Sequence, residues 1–204
     1  QIEPPKDPNY LFEKDLADHA VEWLIRRENG TPNSPFFLYV APGSPHTPHH
    51  APADWIARYR GKFDMGWDKA REAIFKRQKA AGIIPANAVL TPRPKELPAW
   101  DSLSPDDKKV AARMMEVYAA QLSYVDYQIG RILDELRRSG QLDNTLVIYL
   151  QGDNGGDMAS FNGEDNEWGA FFGEEPEYRD ILPNIDKLGS HRAFGGYPAP
   201  WAWA

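Results

Sequence analysis

The chain has no cysteine. That excludes a disulfide framework, a thiolate nucleophile and any cysteine-ligated zinc. It has no apolar run approaching the ~18 residues of a membrane-spanning helix, and no excess of positive charge. Lys and Arg number 23 against 30 Asp and Glu, for a net charge of −7. A chain of that balance is a poor match for nucleic acid, which calls for a basic face. The opening residues, "QIEPPKDPNY", lack the basic and apolar regions of a signal peptide and read as a linker or as a cut inside a longer chain. The closing "GGYPAPWAWA" ends on aromatics without a closing element, which points the same way. No internal repeat is present.

What remains is the composition of a folded protein. With 204 residues, 42% of them hydrophobic and 12% aromatic, the chain is long and apolar enough to bury one substantial core. Between Asp15 and Arg27 the residues Leu16, Ala17, Ala20, Val21, Leu24 and Ile25 recur at helical spacing, with Arg26 and Arg27 at the end favoured by the helix dipole. "PFFLYVA" follows, and Phe36–Val40 has no polar break, as in a strand covered on both faces. "APADWIARYR" and "GWDKAREAIFKRQKAAG" read as short helices. The proline-rich stretch after them reads as an extended excursion. Ser104, Pro105, Asp106 and Asp107 form a helix start, and the apolar spacing from Val110 to Leu136 predicts one helix over 105–138 closed by Gly140. "LDNTLVIYL" is a second apolar strand. Helices alternating with such strands define an α/β protein with a mostly parallel sheet and flanking helices. Phe36–Val40 and Thr145–Leu150 are expected side by side and parallel, with the long helix on one face. The organisation reads as a linker or strand end over 1–14, the central part of a catalytic α/β domain over 15–157, and an irregular loop region of that domain over 158–204.

Ligands of parallel sheets bind beyond the carboxyl ends of the strands, so the residues after each strand carry the functional argument. After the first strand comes "APGSPHTPHH", with His46 a few residues on. After the second, "LQGDNGGD" presents Asp153 and Asn154 as hard oxygen donors suited to Ca²⁺ or Mg²⁺, among glycines that allow a close backbone approach. Both motifs have plainer readings. Asp-Asn-Gly-Gly is also a turn signal, and the histidines of a proline-bound loop are ordinarily solvated. A zinc site from His46, His49 and His50 is a further alternative, weakened by the lack of other ligands. Imidazole also suits anion binding and general acid chemistry. Asp126, among apolar positions of the long helix, reads as a structural hydrogen-bonding residue. The aromatic-rich tail with Trp168, Phe171, Phe172, Tyr197, Trp201 and Trp203 could line a pocket or equally pack a core.

Taken in order, "PFFLYVAPGSPHTPHHAP", "RYRGKFDMGWDKAREAIFKRQKAAGIIP", the long-helix segment and "GQLDNTLVIYLQGDNGG" resemble the type I sulfatases, in particular the arylsulfatases of the alkaline phosphatase superfamily. Gly152 stands where that family usually has serine. The resemblance implies an alkaline-phosphatase-like fold, incomplete in this chain, and an enzyme hydrolysing small-molecule or carbohydrate sulfate esters. By resemblance Asp153 and Asn154 are two Ca²⁺ ligands. His46 binds the sulfate ester and helps protonate the leaving alcohol. The formylglycine nucleophile arises in a Cys/Ser-x-Pro-x-Arg motif that this chain lacks. Further Asp ligands and a sulfate-binding Lys also belong to parts of the family pattern outside it. The expected parent is therefore a sulfatase, periplasmic or secreted, and the segment alone is expected to be inactive. A phosphodiesterase or phosphonate hydrolase of the same superfamily and a non-catalytic binding chain are the alternatives.

Overall fold

The computed structural model describes residues 7, 9–150, 152, 160–166, 169, 172–173, 175–193 and 195–204. Among the described residues the helices are α1 (Phe12–Gly30), α2 (Ala53–Ala57), α3 (Gly66–Ala80), α4 (Pro105–Arg138), α5 (Tyr178–Ile181) and α6 (Ala199–Trp203), with 3₁₀ segments at Trp100–Ser102, Leu142–Asn144 and Leu182–Lys187. The chain divides into two compact units. One comprises Gln1–Pro45 with Gln121–Gly152, the other His46–Ala120 with Asp153–Ala204, so that α4 contributes to both.

α4 begins and ends where its sequence signals lie. Ser104 Oγ accepts the N–H of Asp107 at 3.2 Å, satisfying one of the donors that a helix start leaves open. At the other end Gly140 takes φ of 69°, while Gly140 N–H donates to Arg137 O and Gln141 N–H to Leu136 O, the paired bonds of a glycine-closed helix. α1 extends past its expected bounds at both ends. Its N-cap is Leu11, which offers no side-chain cap, so no residue type marks the start.

In the first unit Ala17, Ala20 and Leu24 of α1 pack with Ile132 and Leu136 of α4, and Phe36, Leu38 and Val40 pack against them. Arg131 donates to Asp18 at 2.6 Å and Arg138 to Glu28 at 2.6 Å, tying the two helices together at their polar margins. Arg27 lies over the Phe36 ring, 4.5 Å from its centroid.

The second unit is built on tryptophan. Trp67, at the start of α3, meets Trp100 edge-on at 4.7 Å and Trp201 of α6 at 5.7 Å. Each ring has a polar end to satisfy when buried: Trp67 Nε1 donates to Pro98 O and Trp201 Nε1 to Ala111 O. Val110, Met114 and Val117 of α4, with Ile56, Ile181 and Leu188, complete this core. Asp68 secures the returning chain, because its carboxylate accepts the Trp100 N–H at 2.9 Å and pairs with Arg93.

The expected parallel pairing of Phe36–Val40 with Thr145–Leu150 is absent. Among the described residues there is no β-strand; the β-bridges are isolated and join Leu188 and Ser190 to Ala193. The first segment keeps the burial pattern of a strand, because Phe36, Leu38 and Val40 are half-buried while Phe37 and Tyr39 point outward, the period of two that an extended backbone imposes. In the second, Leu146 to Leu150 are all exposed. Apolar, β-branched composition makes both segments fit to be strands, but a ladder needs a neighbour about 4.8 Å away, and no bridge joins these two. The loop region over 158–204 has more regular structure than expected, with α5, a 3₁₀ turn and α6 among its described residues.

Candidate active site

His46 is exposed and lies on the loop between Val40 and α2. Its Nδ1 is 2.6 Å from the carbonyl oxygen of Thr47. A carbonyl oxygen can only accept, so Nδ1–H is the donor in this bond. The flanking Ser44–Pro45 and Thr47–Pro48 bonds are both cis. Just upstream, in the first unit, Glu13 of α1 holds Ser44 twice: Oε1 accepts both its N–H and its hydroxyl at 2.7 Å. That clamp was not legible in the sequence, because an acid in a first helical turn reads simply as favourable to the dipole.

The three histidines of the loop separate in environment. His46 is exposed, whereas His49 is buried and stacks on Tyr197. His50 is largely buried, and that burial, followed by the positive charge of His191, holds its pKa below the ordinary 6.5. The expectation of solvated histidines is thus corrected for His49, enclosed by Tyr118 and Tyr197, and for His50, which burial removes from water. The zinc alternative gains nothing, since no cluster of ligating side chains able to hold a metal occurs among the described residues. Asp153, Asn154, Trp168 and Phe171 lie outside the described residues. Asp126 is exposed on α4 rather than serving as an internal hydrogen-bonding residue. On the same helix Glu116 fills the internal role instead, accepting from Gly61 N–H at 2.7 Å and from Arg113 at 3.0 Å. Of the aromatic tail, Tyr197 and Trp201 pack the core, while Trp203 carries Arg71, whose guanidinium sits 4.4 Å from the ring centroid.

The family model for sulfatases matches residues 2–179. The chain belongs to the sulfatase family. An uncharacterised sulfatase of Schizosaccharomyces pombe is 33% identical over 199 residues, covering 96% of this chain and 34% of that protein. An arylsulfatase of Klebsiella aerogenes is 32% identical over 169 residues, covering 82% of this chain and 34% of its own length. A sulfatase of Formosa agariphila is 29% identical over 136 residues, with 65% of this chain and 25% of its own covered. The chain spans about a third of the length of the first two of these relatives. Membership implies an alkaline-phosphatase-like α/β fold, while the described part of this chain contributes helices. No helix among the described residues is long and apolar enough to cross a membrane.

Proposed function

We propose that the protein to which this chain belongs hydrolyses sulfate esters, with His46 facing the ester and Asp153 and Asn154 contributing to a Ca²⁺ site. The family match over residues 2–179 carries the reading. The donor chemistry of Asp153 and Asn154 fits a hard cation, but two side chains fall short of the ~6–8 oxygens Ca²⁺ takes, so other residues of the protein must supply the rest. When bound, such an ion supplies positive charge to the sulfate oxygens. His46 supplies a directed donor. With Nδ1–H donating to Thr47 O, Nε2 is the nitrogen assigned to binding a sulfate oxygen or to protonating the departing alkoxide.

No residue of this chain provides a nucleophile in the Cys/Ser-x-Pro-x-Arg pattern, and the formylglycine of the family lies elsewhere in the protein. A chain without a nucleophile cannot replace it by binding alone. The test is release of a chromogenic phenol from an aryl sulfate by the complete protein and by the 204-residue chain, with an aryl phosphodiester in parallel. The complete protein is expected to turn over the sulfate and the isolated chain to be inert. His46→Ala in the complete protein is expected to lower kcat by about 10²–10³-fold, the usual loss when one donor to developing charge is removed. A complete protein that prefers the phosphodiester, or is indifferent to His46→Ala, overturns the assignment.

A further inference from the structure

We infer that His49 is a positioning residue for His46, a reading that rests on the sulfate-ester assignment above. Only two residues separate the two histidines, yet His46 is exposed and His49 is 3% exposed. The His49 ring stacks on Tyr197 at 5.3 Å with 24° between planes and meets Tyr118 at 5.1 Å. The two tyrosines meet each other edge-to-face at 4.7 Å. Three rings in mutual contact leave each little rotational freedom, so the side chain of His49 has a fixed place.

The backbone is fixed there too. His49 N–H donates to Gly195 O at 3.1 Å, and Ala51 N–H to Gly189 O at 3.2 Å. From this anchored point the chain reaches His46 through Pro48, whose ring fixes φ, and Thr47, whose carbonyl accepts a hydrogen bond from His46 Nδ1. The direction of His46 Nε2 therefore depends on where His49 is held.

The anchor is itself immobilised by close backbone packing. A Cβ on Gly195 would fall 2.2 Å from the Glu164 carbonyl oxygen. Gly163, at φ of 77°, would bring a Cβ within 2.8 Å of Gly196 O. Glu164 N–H donates to Gly196 O, and Ala199 N–H to Phe161 O. Residues 160–164 follow directly on the stretch containing Asp153 and Asn154. The strip at 195–199 thus accepts from His49 through Gly195 and from Glu164 through Gly196, and donates through Ala199 to Phe161.

A histidine that only fills the core would cost stability when replaced and act independently of His46. A positioning residue acts through His46, so its loss vanishes once His46 is gone. The experiment uses the complete protein and a chromogenic aryl sulfate, with His46→Ala, His49→Ala, His49→Phe and the double variant His46→Ala/His49→Ala, each melted alongside. His49→Ala is expected to lower kcat by about tenfold to a hundredfold, the scale of a ~1 Å misplacement, with KM little changed. His49→Phe, which keeps the stacked ring and the backbone N–H, should recover most of it. The double variant should be no slower than His46→Ala. A multiplicative loss in the double variant, a folded His49→Phe as slow as His49→Ala, or a folded His49→Ala with wild-type kcat overturns the inference. If His49→Ala does not fold, His49→Leu replaces it in the same cycle, and a loss that multiplies with that of His46→Ala overturns the inference equally. A wild-type protein inert to sulfate esters fails the underlying assignment instead, and is seen before any His49 variant is compared.

Discussion

His50 shows how burial turns a titratable ring into a pH-dependent liability. Its pKa is lowered in the folded chain, first by burial and then by His191. As pH falls through 6.5 the unfolded chain takes up a proton that the folded chain refuses, so the fold loses stability as acid is added and regains it above that point. His19 opposes this, because its bond to the Asp15 backbone carbonyl and the charge of Asp15 raise its pKa. The signal is therefore read as a difference. Between pH 7 and pH 5 the melting temperature of the wild-type chain should fall more steeply than that of His50→Gln. Equal slopes would show that His50 is not what the acid reaches. The exposure of His46 was legible from its place on a proline-bound loop. The burial of His49 was not, because a histidine three positions from an exposed one carries no sign of burial until Tyr118 and Tyr197, from distant parts of the sequence, are brought around it.

Among the elements, α4 was readable to its last residue because both ends carry local chemistry, a serine cap and a closing glycine. The interior of the helix was less so. Leu122 was expected in its apolar stripe but is exposed, whereas Gln121, Gln128 and Glu135 are buried at intervals of seven. Hydrophobicity alone does not place buried polar residues; Gln128 and Glu135 accept hydrogen bonds from Arg131 and Arg138, one turn further along the same helix. Glycine supplies a sharp test at this scale. Gly66 sits at φ of 78° with a would-be Cβ 2.1 Å from Trp100 Cγ, while nothing lies within 4 Å of the corresponding position at Gly130 in α4. Gly66→Ala should lose about 2–4 kcal/mol in urea unfolding, from left-handed backbone strain plus overpacking. Gly130→Ala should gain up to about 1 kcal/mol by helix propensity. A neutral Gly66→Ala would mean that α3 and the Trp100 turn separate at little cost.

For the whole molecule, the strand segments explain why pairing resisted sequence reading. Their composition suits an extended backbone, but pairing belongs to the partner as much as to the segment. Phe37 and Leu146 stand 87% and 85% exposed, and rows of apolar side chains without a neighbour promote self-association. The isolated chain should scatter light at concentrations where Ile148→Lys does not. The same substitution in the complete protein should lower its stability if the segment is covered there, and a harmless lysine would argue that it is not. A separate consequence follows from where the indoles fall. Of the seven tryptophans, Trp23 alone lies in the first unit, and Trp67, Trp100 and Trp201 form the buried centre of the second. Intrinsic emission is therefore a nearly private signal of the second unit, and Trp23→Phe makes it wholly so. Helical circular dichroism reports on both, so a denaturation followed by the two optical probes tells whether the units come apart in one step or two. The chain carries its own reporter for that question, with no dye to attach.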